Sequence, residues 1–280
     1  MAFSEDTLAR FAEVYPVNPA KLAHGLRGDA RLSLEALVAL AVELGEDSVE
    51  YNPGDLPIGI APEDIPAAAM SPAETIRQIE IAGAWMVLKR IEQVPAYRGL
   101  LEDLLSELDP VIARTTGPRH RSEGFIFISS PGSMTPFHFD PEHNILLQLR
   151  GEKTMTVFPP DDETLCSPEL HERFHTGKHH RNLPWDDAFL PRGEAITVRA
   201  GEAIHVPVKA PHFVRNGSEV SVSLSITWRS AWSEAEASAR GFNGLVRRLG
   251  MQPRSPAAYP ASNWMKSTAY RAARKLGVTG

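Results

Sequence analysis

The sequence lacks the features that would place it outside ordinary globular proteins. Cys166 is the one cysteine in 280 residues, which excludes an internal disulfide and a cysteine-based zinc or redox pair. A single thiol suits a reducing compartment, and a cytoplasmic location is expected. Glu5 and Asp6 lie where a signal peptide needs positive charge, so no secretory signal is expected. The longest apolar run, residues 36–42, is far too short for a membrane span.

Positive charge is also scarce. Lysine and arginine number 29 against 35 aspartates and glutamates, which gives a net charge of −6. Proteins that coat nucleic acid are usually basic, so no nucleic-acid partner is expected. Apolar residues make up 42% and charged residues 23% of the chain, which is typical of a globular protein with one large or two small domains.

The first part of the chain, residues 1–120, is predicted to be a helical region that packs on the core. Apolar residues recur at helical spacing over 34–44, and a glycine follows as a stop. A Ser-Pro start predicts a second helix over 71–91. A third helix is predicted over 97–108, ending before Pro110.

The pattern changes to short β-strands within residues 121–230. Apolar residues alternate or run in short blocks at 125–128, 145–149, 154–158, 195–198, 203–206 and 220–228. Glycine and proline separate the blocks, which indicates a β-sandwich or barrel. Residues 231–280 return to helical patterns, with a basic helix at about 262–276. The chain is therefore predicted to be mainly β with flanking helices.

Residues 161–191 form a long polar excursion between two predicted strands. Four of its histidines have spacings compatible with a metal: His171, His175, His179 and His180. A second metal site there is one interpretation, but a solvated loop that contacts substrate is favoured. Arg173 and Arg181 in the same segment are candidates for meeting an acidic substrate.

The main chemical signal is histidine placed with a carboxylate. His138 and Asp140 are two residues apart, so both side chains leave the same face of an extended strand. His212 precedes the last predicted strand. If the two segments meet, two imidazoles and one carboxylate face one metal, an arrangement that suits non-haem Fe(II). Taken singly, each residue is more often structural, because an HxD triplet is common by chance.

The surrounding residues strengthen the signal. The run GSMTPFHFDPEHNILLQLRGEKTMTVFPP at 132–160 resembles the core of the JmjC and cupin-like 2-oxoglutarate oxygenases. The positions that agree in order and spacing are Thr135, His138, Asp140, Asn144, Gly151, Lys153 and 158–160. Segments 201–207 and 211–214 and a strand that ends at Trp228 are similar to the second half of the family core. The resemblance covers residues 122–230.

The resemblance implies the fold, the metal and the reaction. It implies a double-stranded β-helix, the cupin-type jelly roll, over residues 121–230. His138, Asp140 and His212 would be the catalytic metal ligands and would hold Fe(II), with 2-oxoglutarate and O2 as cosubstrates. The reaction implied is hydroxylation of a C–H bond, most simply on a protein side chain or a peptide-like substrate. Demethylation is the other activity of the family.

The resemblance also implies how the cosubstrate is bound. Lys153 and Thr135 would meet the far carboxylate of 2-oxoglutarate, and Asn144 would orient the site through hydrogen bonds. Read without the resemblance, Lys153 is an ordinary solvated strand lysine and Asn144 a turn residue. A buried lysine is plausible only where an anion meets it.

Some positions depart from the family or stay open. The asparagine that relatives place two residues before the last-strand tryptophan is Ile226 here, so the cosubstrate pocket is expected to be completed differently or to be drier. No tyrosine hydroxyl is identified for the pocket, where Phe125 and Phe127 offer only rings. His143 is expected at the pocket mouth or in a turn cap, and His205 is expected to pack beside the metal ligands.

Two other functions remain open beside the oxygenase. One is a cupin-type metalloenzyme that does not use 2-oxoglutarate, which would have no need for a buried cation at Lys153. The other is a non-catalytic ligand-binding or regulatory jelly roll, which would be expected to have lost part of the metal trio. The partner is expected to be a protein, peptide or small-molecule substrate.

A homodimer is also expected. The C-terminal helices within 231–280 occupy the place that relatives use for dimerisation. Their apolar face consists of Phe242, Leu245, Val246 and Leu249.

Overall fold

The computed structural model describes residues 1–277 except 56, 61–63, 65–69, 178 and 179. The α-helices in the described part are α1 Glu5–Val14, α2 Leu34–Leu44, α3 Pro72–Arg77, α4 Pro95–Thr116, α5 Pro168–His175, α6 Ala231–Arg248 and α7 Trp264–Lys275. The strands are β1 Ala20–Ala23, β2 Val49–Pro53, β3 Ala84–Lys89, β4 Arg119–Ser129, β5 Met134–His138, β6 His143–Arg150, β7 Glu152–Val157, β8 Glu194–Arg199, β9 Glu202–Val206, β10 His212–Asn216 and β11 Ser221–Ser230.

The described strands form two antiparallel sheets. The larger sheet has seven strands in the order β1-β9-β6-β11-β4-β3-β2, and the smaller has four in the order β5-β10-β7-β8. From β4 to β11 the chain passes back and forth between the two sheets, except that β7 and β8 are neighbours in the smaller one. The two sheets therefore wind as a double-stranded β-helix. The predicted fold class, mainly β with flanking helices, is confirmed.

Each sheet buries an apolar layer on its outer face as well as one between the sheets. The outer face of the larger sheet packs under α1, α2 and α4, with Leu224 and Trp228 fully buried there. Between the sheets, Leu146 of the larger sheet packs against Met155 and Val157 of the smaller one. Because helices cover the outer face of the larger sheet, the inner faces of its central strands can carry polar groups at one end of the barrel.

The predicted second helix is wrong beyond its first turns. Ser71 caps α3 through a capping box, as its sequence predicts, but α3 ends at Arg77. The apolar residues that follow form strand β3, which pairs with β2 on one side and β4 on the other. Gly83, whose φ is +56°, interrupts the regular backbone conformation just before the strand. Residues 84–88 are all buried, and a strand covered on both faces has the same continuous apolar run as a buried helix.

Strands from the expected helical region therefore belong to the main sheet. β1, β2 and β3 all lie within residues 1–120, and β1 pairs with β9 at the edge. Strand β4 and the larger sheet run across residue 121. A domain boundary at this residue stays a prediction.

The third helix is longer than predicted. Helix α4 continues through Pro110 to Thr116, although a proline inside a helix removes one hydrogen bond and costs about 3 kcal/mol. Leu108 and Ile112, on the two sides of the proline, are both buried in the main core. Burial of the last turns offsets the cost of the proline.

The predicted solvated loop is wrong for the first part of the histidine-rich segment, which is helical and buried, whereas His180 and Arg181 are exposed. Helix α5 forms there and packs on α6, and His171 is buried against the ring of Phe139, with ring centroids 4.7 Å apart. Burial lowers the pKa of His171 to about 2, so the imidazole is neutral. His179 lies outside the described residues. No described helix is both long and apolar enough to cross a membrane.

Candidate metal centre

Three predicted side chains meet at one end of the barrel. His138 is the last residue of β5, His212 is the first residue of β10, and the two are paired across the strands. Asp140 lies two residues beyond the end of β5. One ligand atom from each residue lies within 4.8 Å of the others, and all three residues are buried. Within the described residues, no other trio of histidine, cysteine or acidic side chains converges in this way.

Hydrogen bonds aim both imidazoles at the same point. Nδ1 of His138 donates to the carbonyl of Pro136 at 2.7 Å, and Nδ1 of His212 donates to the carbonyl of Ala210 at 2.9 Å. These bonds fix the tautomers and leave both Nε2 lone pairs free. The Nε2 atoms lie 3.9 and 3.7 Å from the carboxylate oxygens of Asp140.

The carboxylate of Asp140 is held by two further groups. Arg181 donates to Oδ1 at 3.0 Å, and the side-chain amide of Asn144 donates to Oδ2 at 3.3 Å. Ser225 in turn donates to Asn144 Oδ1 at 2.9 Å. Burial raises the pKa of Asp140, but Arg181 and the two imidazoles outweigh burial and lower it. The group is therefore an anion and can act as a ligand.

This donor set fits a divalent transition metal. Two imidazole nitrogens and one carboxylate on one side of a point make a facial triad that leaves other coordination positions open. A closed structural zinc site would need a fourth protein ligand.

A buried cation lies further into the barrel. Lys153 on β7 is opposite Asn216 on β10, and alternation along β10 puts this pair on the same face as His212. Lys153 is only 3% exposed, and among the described residues its ammonium has no hydrogen bond or ion pair. The ring of Phe127 lies 5.8 Å away. Burial lowers the pKa of Lys153 to about 7.

Two polar residues share the inner barrel face with this lysine. Val214 on β10 pairs with Thr135 on β5, after a register shift in β5 that turns Thr135 to the inner face. Asn216 donates to Ser133, but its buried Oδ1 has no partner within the described part of the chain. The sequence reasoning did not identify Asn216. Its position four residues after His212, on the same face of a strand, is the signal that could have found it.

Ile226, at the position where relatives have an asparagine, does not line this pocket. Ile226 faces the outer core, where it is 1% exposed. Its neighbours Ser225 and Thr227 face the interior, and Thr227 is opposite Asn144. The side chain of residue 226 therefore takes no part in the pocket, because the apolar side of β11 packs under the helices.

Two other histidines are not at the pocket. His143 is fully buried on the outer side, where it stacks on Trp228 and its Nε2 bonds to Ser230 at 2.9 Å. His205 packs against Tyr15 on the same outer side. His143 lies neither at the pocket mouth nor in a turn cap, the two places predicted for it, since its ring nitrogen bonds to Ser230. The predicted place of His205 beside the metal ligands is also wrong. Both side chains instead help to attach the N-terminal helix.

The fold and the trio together define a class of protein, the cupin-type double-stranded β-helix with a facial metal triad. The chain belongs to the cupin-like domain family, whose model matches residues 85–234. This match contains every predicted site residue.

Curated relatives support the same assignment over a shorter stretch. The chain is 30% identical to lysine-specific demethylase JMJ30 of Arabidopsis thaliana over 113 residues, which is 39% of this chain and 25% of that protein. It is 29% identical to JmjC domain-containing protein D of Dictyostelium discoideum over 100 residues, which is 33% of this chain and 22% of that protein. The chain thus matches about a quarter of the length of these relatives or less.

Solved structures share the fold over nearly the whole chain. The X-ray structure of Escherichia coli ycfD superposes with a TM-score of 0.57 at 16% identity, over 99% of this chain and 69% of that one. A structure of the ribosomal oxygenase YcfD from Escherichia coli in complex with cobalt and 2-oxoglutarate gives 0.53 at 15% identity, over 99% and 68%. At this identity the likeness establishes the fold.

Proposed function

We propose that this chain is an Fe(II)- and 2-oxoglutarate-dependent oxygenase that hydroxylates a C–H bond of a protein side chain or peptide-like substrate. The observation that carries the proposal is the buried, unpaired ammonium of Lys153, on the same barrel face as His212. A buried charge without a partner is costly, and a dicarboxylate that reaches from the metal would supply the missing anion.

Each site residue has a defined task in this proposal. His138, Asp140 and His212 hold Fe(II), and Asn144 fixes the orientation of the carboxylate ligand. Bound iron would supply activation of O2, coupled to the oxidative decarboxylation of 2-oxoglutarate to succinate and CO2, for insertion of one oxygen atom into a C–H bond.

The chain's own residues bind and orient the cosubstrate. Lys153 receives the far carboxylate, and the hydroxyl of Thr135 donates a hydrogen bond to it. We add Asn216 as a residue that positions Lys153, because its buried Oδ1 lacks a donor and can accept a hydrogen bond from the ammonium on the opposite strand. The ring of Phe127 covers the ammonium, which excludes water and strengthens the ion pair.

The substrate class draws support from the relatives. They include proteins named lysine-specific demethylases, and the structural neighbours include a ribosomal oxygenase. Both names point to protein substrates, and the facial triad is compatible with hydroxylation or demethylation.

The two other readings explain less. A cupin-type metalloenzyme without 2-oxoglutarate leaves Lys153 as a buried charge with no purpose. A non-catalytic jelly roll leaves unexplained why both imidazoles are aimed at one point by hydrogen bonds.

The test is calorimetric titration of 2-oxoglutarate into the metal-free protein, with and without Mn(II) as a redox-silent substitute for Fe(II). We expect binding that requires Mn(II) and is lost in His138→Ala and in Lys153→Ala. Lys21→Ala is the matched control, since Lys21 is an exposed strand lysine paired with Glu202. Metal binding without 2-oxoglutarate affinity would support the cupin alternative. Absence of metal binding would support the non-catalytic jelly roll.

We further propose a homodimer through the C-terminal helices. Leu249 is 76% exposed, and Trp264 and Met265 are exposed on α7. Phe242 and Val246 are only partly covered. Light scattering of the purified chain tests this proposal, and a monomer mass would refute it. The cytoplasmic location and the boundaries at residues 121 and 231 stay predictions.

A further inference from the structure

A basic cleft lies at the metal end of the barrel. β11 ends and β4 begins at this end, and Trp228 of β11 pairs with His143, the neighbour of Asn144. Arg229 and Arg121 therefore lie at the same end of the barrel as the metal centre. Together with α6 and α7 they border a cleft of about 660 Å³.

The charge of this cleft opposes that of the whole chain. Four arginines line it, Arg121, Arg229, Arg271 and Arg274, against one carboxylate, Glu234. The whole chain has a net charge of −6. Glu234 is already shared, because His120 approaches it at 2.9 Å and Arg121 at 3.7 Å.

The two arginines on α7 have no counter-ion. Arg271 and Arg274 are exposed, and within the described residues neither has an ion pair or a hydrogen bond. They are one helical turn apart, at i and i+3, so both side chains lie on the same side of α7. Unpaired guanidiniums around a concave surface are the pattern that recognises carboxylates or phosphates.

Charged side chains continue from the cleft towards the metal. Arg229 donates to Glu142 at 2.5 Å, and Glu142 is two residues from the metal ligand Asp140. Arg181, which donates to Asp140, has 48% of its side chain exposed. Arginines thus extend from the metal ligand to the outer wall on α7.

Apart from Ala237, the rest of the cleft lining is polar. Tyr270, Thr176 and Ser238 line it, as does His175, whose buried Nε2 has no partner within the described part of the chain. The hydroxyls of Thr176 and Tyr270 already donate to the carbonyls of Glu172 and His175. The arginines therefore provide most of the donors that an acidic peptide requires.

We infer that this cleft docks an acidic segment of the protein substrate, so that the residue to be hydroxylated is held over the metal. The inference rests on the proposed function for its substrate, but the docking itself needs no metal. Nucleic acid is less favoured, because the cleft is a bounded pocket on an acidic chain, and Tyr270, which is buried, offers no open ring for base stacking.

The opposite end of the barrel provides a matched control. A cleft of about 720 Å³ there is lined by Arg27, Arg150 and Arg199, with Glu152 and Glu219 among its other residues. Arg27 and Arg150 have no side-chain ion pair among the described residues. Replacing two arginines by glutamate at either end changes the net charge by the same amount. A difference in binding between the two double variants therefore depends on the location of the arginines and not on the overall charge.

The experiment measures fluorescence anisotropy of labelled hexaglutamate, hexaglutamine and hexalysine with the full chain at 50 mM salt, and repeats it with a labelled 12-mer of single-stranded DNA. We expect hexaglutamate to bind at least tenfold more tightly than the other two peptides. Arg271→Glu with Arg274→Glu should weaken this binding about tenfold or more, which is about 1.4 kcal/mol. Arg27→Glu with Arg150→Glu should change it less than twofold.

Three results would overturn the inference. These are no preference for hexaglutamate, an equal loss in both double variants, or tighter binding of the DNA that is lost only in the α7 variant. His138→Ala should retain hexaglutamate binding. Failure of the 2-oxoglutarate titration with intact hexaglutamate binding would refute the oxygenase and leave an acidic-peptide site.

Discussion

Replacement of Lys153 by methionine should stabilise the cosubstrate-free protein while abolishing cosubstrate binding. Methionine has nearly the same length and volume as lysine, so the packing change is small, below about 1.5 kcal/mol. What is lost is a buried charge whose ammonium has no acceptor among the described residues. A residue that serves a ligand at the expense of stability is expected to behave in this way.

The size of the effect follows from the pKa. Burial lowers the pKa of Lys153 from 10.5 to about 7, and each pH unit between two pKa values is worth about 1.36 kcal/mol. At pH 7 the folded protein therefore bears a penalty of about 4 kcal/mol for this lysine. Between pH 7 and 10.5 the unfolded chain holds the proton and the folded chain does not, so the stability of the wild type rises with pH.

Urea unfolding of the metal-free proteins at pH 7.0 and pH 9.5 measures this effect. Lys153→Met should be more stable than the wild type by about 2–4 kcal/mol at pH 7, and the difference should shrink by about 3 kcal/mol at pH 9.5. Lys21→Met, at an exposed pair, should change stability by less than about 1 kcal/mol at either pH. A Lys153→Met protein that is less stable than wild type at pH 7 would refute the reasoning, since the ammonium would then have a favourable partner.

Three further substitutions test separate parts of the structure. Asn144→Ala removes the donor to Asp140, and calorimetry should show Mn(II) binding weakened about tenfold or more; unchanged affinity would mean that the amide does not orient the ligand. Ile226→Asn should lower the free energy of unfolding by about 3 kcal/mol with no gain in 2-oxoglutarate affinity, and tighter cosubstrate binding would place this side chain in the pocket. Pro110→Ala should raise the unfolding free energy by about 1–3 kcal/mol in urea titrations, because α4 regains a hydrogen bond; a loss of stability would show that the proline fits its site.

Most of the metal centre could be predicted because its residues lie close together in sequence. His138, Asp140 and Asn144 fall within seven residues, and the strand-turn-strand geometry of this stretch brings them together locally. His212 is far away in sequence, and only the pairing of β10 with β5 brings it to His138. Resemblance to a family supplied that pairing, which spacing alone could not.

The errors arise where tertiary burial overrides a local pattern. Residues 84–89 are apolar on every position, and nothing local distinguishes a buried strand from a buried helix. The extension of α4 past Pro110 depends on apolar partners from other elements. Arg181 is polar and lies in a loop, so its contact with Asp140 had no signal in the sequence.

Strand β11 shows why the cosubstrate pocket was harder to predict than the metal ligands. Its alternation of apolar residues with serine and threonine separates two faces correctly, but it does not say which face is inside the barrel. In an ordinary sandwich the apolar face points inward. Here helices cover the outside of the sheet, so the apolar face packs outward and Ser225 faces inward, where it donates to Asn144. A barrel that holds a metal and a dicarboxylate needs polar groups inside, and the outer helices make this inversion stable.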